Sequence, residues 1–211
     1  MRRIALSMLL LAALSGIGGR AGAINYVGYV GCSQTKNAVH GYHAIGGQKF
    51  WPVIAAYGGG SVQAWAKSIG GGQYWDSFKA NLAAFPTNKI WVQWCVKSSE
   101  PVNQTANANK VLAEIRKLAP GRQIYVSSQN GYYLPHTCKI SGPGGPERMQ
   151  LLALTNVLGA KALPGPDVGD LRSKYEEPSI PPGDQTTADG CHANEAGATQ
   201  VLGPNLRLFF G

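Results

Sequence analysis

Short stretches rich in β-branched and aromatic residues alternate with stretches whose apolar residues recur at helical spacing, and this alternation restricts the chain to a small set of folds. Asn25–Gly31 reads as a buried strand running into Cys32-Ser33-Gln34-Thr35 and a helix toward Tyr42. Phe50–Ala55 is a second strand candidate, with Pro52 weakening its start. Gly58-Gly59-Gly60-Ser61 is a turn that feeds a short helix through Trp65 and Lys67. Trp75, Phe78, Leu82 and Phe85 mark a helix, and Lys89–Cys95 a strong strand. Val111, Leu112, Ile115 and Leu118 share one face of a helix over Gln104–Leu118, which stops at Pro120-Gly121. A strand at Gln123–Ser127, a helix at Glu147–Gly159 and a short strand at Lys161–Leu163 follow. Asp167–Asp184 reads as a long surface loop. Glu195–Phe210 closes the chain as a helix with Ala198, Val201, Leu202, Leu206 and Phe209 on one face and a bend at Gly203-Pro204. Alternation of this kind predicts a three-layer α/β/α sandwich around a parallel sheet. Ligands of such sheets sit beyond the carboxyl ends of the strands. The segments to inspect are therefore Ser33, the Gly58–Ser61 turn, the stretches after Cys95 and Ser127, and the segment before the last helix.

The first 23 residues read as an export signal ahead of a single domain over 24–211. Arg2 and Arg3 precede an apolar run from Ile4 to Leu14, and Ala21-Gly22-Ala23 gives a cleavage pattern of small residues. The run is too short for a membrane span, and no later segment reaches 18 apolar residues. The expected location is secreted or periplasmic, with no membrane contact after cleavage. Loss of Arg2, Arg3 and Arg20, with no acid removed, lowers the formal net charge from +8 to +5. The remaining cations are scattered along the chain, which argues against nucleic-acid binding. A charged fraction of 14% with 44% apolar residues excludes a disordered chain. No repeat of 20–50 residues suggests a solenoid or propeller.

Export permits Cys32, Cys95, Cys138 and Cys191 to form disulfides, in any of three connectivities. No CxxC occurs, and the spacings do not match a zinc site.

Three segments carry chemistry. Asp189-Gly190-Cys191-His192 places a carboxylate three residues before an imidazole on a tight turn, where the acid can fix the tautomer of the base. The competing reading makes Asp189 or Asn194 a helix cap. Ser33 follows the first strand and opens a helix, exposed at the sheet edge beside backbone N–H donors. A plain N-cap at Ser33 or Thr35 is the alternative. The Gly58–Ser61 turn can present backbone N–H groups to an oxyanion, although a flexible turn would look the same. It lacks the Lys-Ser/Thr ending of a phosphate loop.

Taken together, a serine after strand one, a glycine turn after strand two and Asp-x-x-His before the last helix resemble the SGNH (GDSL-type) hydrolase family of esterases and lipases. The family's Gly-Asp-Ser block reads Gly31-Cys32-Ser33-Gln34-Thr35 here, and its Asp-x-x-His block reads Asp189-Gly190-Cys191-His192. The resemblance runs over about residues 25–211. It implies a Ser33–His192–Asp189 triad hydrolysing a carboxylic ester through an acyl-enzyme. The oxyanion hole would come from the N–H groups of Ser33 and Gly59, with Gly60 the alternative to Gly59. Neither cofactor nor metal is implied. The expected partner is an ester substrate, with a short acyl group on a polysaccharide as one candidate, bound by a monomer.

Two positions depart from the family pattern. Cys32 stands in place of Asp, and the Asn that completes the family's oxyanion hole has no counterpart in Cys95-Val96-Lys97-Ser98-Ser99. Gln93, Lys97, Ser98 or Asn103 could supply that donor. These departures support a second reading, a secreted binding module with weakened catalysis; an acyltransferase with the same triad is a third. Cys191 paired with Cys95 or Cys138 would pin the histidine loop, and a Cys32 thiolate is a rival nucleophile. Trp94, Lys97, Tyr132, Tyr133 and His136 fall near the expected site as substrate contacts. His40 and His43 have the spacing of a metal pair but no acid or cysteine to complete one, which favours surface or packing roles. Asn103-Gln104-Thr105 fits the N-glycosylation pattern of a eukaryotic secretory pathway.

Overall fold

The computed structural model describes residues 25–101, 103–132, 145–171 and 191–211. The proposed leader, Tyr133, His136, Cys138, Asp189 and Gly190 lie outside them.

Strands β1 (Tyr26–Val30), β2 (Thr87–Gln93), β3 (Gln123–Ser127) and β5 (Leu163–Pro164) form one parallel sheet in the order β1-β2-β3-β5. From Val27 to Val30 and from Ile90 to Gln93 every residue is buried. Such uninterrupted burial is what a strand covered on both faces requires. The register places Tyr29, Trp91 and Tyr125 side by side. This aromatic row meets Phe50 and Phe210 on the face covered by α1 (Ser33–Ala44) and by the closing helical segment, α6 (Glu195–Gly197) to α7 (Gly203–Phe210). α2 (Val62–Lys67), α3 (Gln73–Ala84), α4 (Thr105–Leu118) and α5 (Gly145–Leu158) form the other layer: α3 packs on β1, α2 on α4 and α4 on α5. The three-layer architecture thus matches the alternation in the sequence. Among the described residues no helix is long and apolar enough to cross a membrane.

All five tryptophans are buried, and each indole N–H has an acceptor. Trp51 donates to Thr87 Oγ1, Trp65 to the Gly31 carbonyl and Trp75 to the Trp65 carbonyl; Trp91 donates to Ser127 Oγ and Trp94 to Asn156 Oδ1. The rings therefore contribute large apolar areas without leaving a polar group unpaired.

Three expectations need correction. Phe50–Ala55 is not a strand: Phe50 makes an isolated parallel bridge to Val27, and the chain then turns into a 3-10 turn at Ala55–Tyr57. Pro52 lacks the N–H needed to extend the ladder. The start of the proposed 167–184 loop is a short strand that alternates exposed and buried residues. Asp170–Leu171 (β6) pairs in parallel with Gly131–Tyr132 (β4), and Val168 and Leu171 are buried. The closing helix does not present Phe209 inward. A π-helical turn at Ala198–Leu202 adds one residue to the spiral ahead of Pro204 and rotates the following face. Leu206 and Phe210 are buried in consequence, while Phe209 is 43% exposed.

Candidate active site

The nucleophile candidate is placed by the junction of β1 and α1. Ser33 is the first residue of α1, so its N–H and those of Gln34 and Thr35 have no carbonyl one turn earlier within the helix to accept them. The positive end of the helix dipole lies at the same point and favours negative charge there. Thr35 fixes the geometry of the junction. Its Oγ1 accepts from Cys32 N at 2.9 Å and donates to Gln93 Oε1 at 2.8 Å, which ties α1 to the end of β2. The Gly31 carbonyl is held by the Trp65 indole at 2.8 Å.

His192, from the segment ahead of α6, reaches the same point. Its Nε2 lies 2.9 Å from Ser33 Oγ, both residues being half-buried. Cys191 positions this histidine: its carbonyl accepts from Gln34 Nε2 at 2.7 Å and from the Tyr132 hydroxyl at 2.6 Å. Gln129 Nε2 in turn donates to that hydroxyl at 3.0 Å. Asn194 caps α6 by accepting from Gly197 N, so the cap is Asn194 and His192 is left to face the serine.

The glycine turn converges on the same junction. Gly60 rests directly on Gly31, since a Cβ at Gly60 would lie 2.3 Å from the Gly31 carbonyl oxygen. Gly60 N donates to the Tyr57 carbonyl and Gly58 N to the Ala55 carbonyl, whereas the Gly59 N–H is given to no backbone acceptor among the described residues. Gly59 has φ +73°, a left-handed conformation that favours glycine. Of the three glycines of the turn, Gly59 alone has an N–H with no backbone acceptor among the described residues. Ser61 Oγ caps α2 by accepting from Ala64 N and donates to Glu100 Oε1, while Glu100 Oε2 accepts from Lys97 N. Val62 N donates to the Cys95 carbonyl. The turn is thus clamped to the segment after β2.

Cys32 and Cys95 form a disulfide. Cys95 is therefore not the partner of Cys191, and Cys32 has no thiolate to act as a rival nucleophile. Cys191 is also disulfide-bonded, to a partner outside the described residues. These bridges suit an oxidising compartment.

The remaining candidates separate clearly. Trp94 is 1% exposed with its indole N–H on Asn156, so it packs in the core and offers no face to a ligand. The Tyr132 hydroxyl is committed to bracing the Cys191 carbonyl. His40 pairs with Glu195 across 3.0 Å, and His43 contacts the carbonyls of Gly47 and Trp51. Gln93 is buried with its carbonyl oxygen on Thr35, and Ser98 is exposed. Asn103 accepts from Thr105 N and lines a cavity of about 250 Å³ between the start of α4 and α5. Gln34, Thr35 and Glu100 were missed at the sequence level. Polar residues on the inward side of α1 were the available signal for the first two; nothing in the sequence marked Glu100.

No protein-family model matches the sequence, and no curated protein matches it. Among solved structures, the chain is similar to the crystal structure of a two-domain esterase active on acetylated mannans, co-crystallised with mannopentaose. The TM-score is 0.51 at 13% identity, over 89% of this chain and 49% of the esterase. The chain thus spans about half the length of that enzyme, and the likeness establishes the shared fold.

Proposed function

We propose that the chain is a serine ester hydrolase of SGNH type, exported and acting as the mature domain 24–211. The observation that carries this reading is the 2.9 Å contact between Ser33 Oγ and His192 Nε2 at the helix N-terminus. Ser33 Oγ attacks the ester carbonyl carbon as its proton passes to His192 Nε2. The carbonyl π bond opens onto oxygen, and the resulting oxyanion is held by the N–H groups of Ser33 and Gly59. Collapse of the tetrahedral intermediate expels the alkoxide, which takes the proton from His192. Water then attacks the acyl carbon as His192 takes its proton, and collapse of the second tetrahedral intermediate breaks the bond to Ser33 Oγ, which recovers that proton from His192 as the acid leaves. Asp189 is assigned to orient His192 through the other ring nitrogen, on the strength of the Asp-x-x-His spacing.

An acyl group on a polysaccharide, an acetyl ester in the first instance, is the substrate class we favour. The shared fold with an esterase that acts on acetylated mannans supports this choice, and so do the proposed export signal and the Cys32–Cys95 disulfide. The binding-module reading has one observation in its favour: Cys32, which stands where the family carries an acid, is consumed by its disulfide to Cys95. Turnover of p-nitrophenyl acetate and butyrate decides between them. Hydrolysis lost in both Ser33→Ala and His192→Ala supports the esterase. Binding of an acetylated oligosaccharide without turnover, unchanged in Ser33→Ala, supports the module.

A further inference from the structure

The oxyanion site proposed above has two backbone donors and lacks the side-chain donor that a tetrahedral intermediate would complete. The Cys95 side chain, at the end of β2, is consumed by its bridge to Cys32. Gln93 is buried and Asn103 lies at the head of α4. Lys97 is placed differently. Its backbone N–H is anchored on Glu100 Oε2 at 3.1 Å, and the same carboxylate holds Ser61 at the end of the glycine turn. The side chain then runs back to the turn, where Nζ lies 4.0 Å from the position a Cβ would occupy on Gly59. Tyr74 Oη stands 3.9 Å from that position but is already donating to the Gly58 carbonyl. Among the described residues Lys97 Nζ makes no ion pair and no hydrogen bond. A half-buried ammonium with no counter-charge among the described residues therefore stands about 4 Å from the Cβ position of Gly59, the residue of the turn whose N–H has no backbone acceptor among them.

We propose that Lys97 is a catalytic residue whose ammonium group supplies the third donor to the oxyanion. The proposal rests on the esterase reading. As the Ser33 Oγ–carbon bond forms, one unit of negative charge develops on the former carbonyl oxygen between Gly59 N–H and Lys97 Nζ. A full positive charge acts on it where a neutral amide would offer only a dipole. The ground-state ester is neutral, so the charge–charge part of the contact exists only in the transition state and raises kcat more than it lowers KM. The role differs from a simple hold on substrate, which would appear in KM.

The test compares wild type, Lys97→Met, Lys97→Arg and Ser33→Ala on p-nitrophenyl acetate, alongside the rate at which a fluorophosphonate labels Ser33. The phosphoryl oxygen of that probe needs the same donors, so labelling reads the site independently of substrate choice. Lys97→Met is expected to lower kcat about 10²–10³-fold with KM little changed, and to slow labelling in parallel. Lys97→Arg is expected to recover part of the loss, because its charge reaches the same region. Unchanged thermal unfolding in both variants shows that the fold is intact. Wild-type kcat and labelling in Lys97→Met, with Ser33→Ala inactive, would overturn the role of Lys97 alone. So would a loss confined to KM. If Ser33 is neither labelled nor required in wild type, the nucleophile assignment fails and the role of Lys97 falls with it.

Discussion

Gln34 Nε2 donates to the Cys191 carbonyl at 2.7 Å, so the residue after the proposed nucleophile grips the residue before the proposed base. The contact spans 157 positions of sequence and couples the start of α1 to the histidine segment directly. Gln34 is wholly buried and sits beside Cys191 Sγ as well. Replacing it with Leu leaves the Cys191 carbonyl to Tyr132 and loosens the orientation of His192 against Ser33. Gln34→Leu should lower kcat/KM for a small acetyl ester about tenfold or more, a change of roughly 1.4 kcal/mol in the barrier. Its thermal midpoint should fall by only a few degrees, as expected for one buried hydrogen bond in a chain of this size. Steady-state kinetics beside a thermal melt separate the two effects.

The Cys32–Cys95 bridge closes a loop of 63 residues and fastens the junction of β1 and α1 to the end of β2. Restricting the unfolded chain over such a loop stabilises the fold by about 4 kcal/mol in the chain-entropy model. Cys32→Ala/Cys95→Ala should therefore unfold on the order of 10 °C lower than wild type. Calorimetry on the purified double variant checks this, and an unchanged midpoint would show that the surrounding packing already fixes the junction.

Gly59 and Gly60 are adjacent but should respond in opposite degree to Ala. At Gly60 the added methyl would lie 2.3 Å from the Gly31 carbonyl and 2.7 Å from Trp65 Nε1, breaking the contact that seats the turn on the junction of β1 and α1. At Gly59 a methyl finds space, and the cost is its φ of +73°, about 1–2 kcal/mol for an L-residue. Gly60→Ala should thus be the far more destabilising change, and the difference in denaturant midpoint between the two variants measures it.

Two buried tyrosines set an alkaline limit. Burial raises the pKa of Tyr29 well above the usual tyrosine value, against a smaller lowering by its hydrogen bond from Ile54 N; burial, then the neighbouring Tyr29, raises that of Tyr57. Both keep their protons in the fold at a pH where the unfolded chain has lost them. Their contribution is complete below about pH 10 and is lost as pH rises beyond it. Urea unfolding followed against pH should show stability falling above that point. Tyr57→Phe should be neutral or stabilising at neutral pH and should reduce the alkaline loss, because the Tyr57 hydroxyl is buried without a partner among the described residues. Tyr29→Phe should cost about 1–3 kcal/mol, since the Tyr29 hydroxyl accepts from Ile54 N and donates to the Pro52 carbonyl.

What the sequence made legible was local. Val111, Leu112 and Ile115 recur at helical spacing and are buried as that spacing requires, and the aromatic and β-branched run through Ile90–Val92 is a central strand. Ser33 could be placed at a strand–helix junction because Val30-Gly31 ends one pattern where another begins. Long-range facts were not legible. Cys32 and Cys95 each stand two residues past the end of neighbouring parallel strands, which brings them to one edge, but strand order is not written in either segment. The π turn at Ala198–Leu202 changes which phenylalanine faces inward without changing the composition of the helix. Trp94 looked like a ligand platform because it follows a strand end. The acceptor that draws it into the core, Asn156, comes from a helix 62 positions away.

The most direct measurement is peptide mapping after reaction with a fluorophosphonate. A serine activated by His192 should give one stoichiometric adduct, on Ser33, absent in Ser33→Ala and formed far more slowly in His192→Ala. An unmodified Ser33 in the folded wild-type protein, or an adduct that persists in Ser33→Ala, would contradict the assignment of Ser33 and His192 as nucleophile and base.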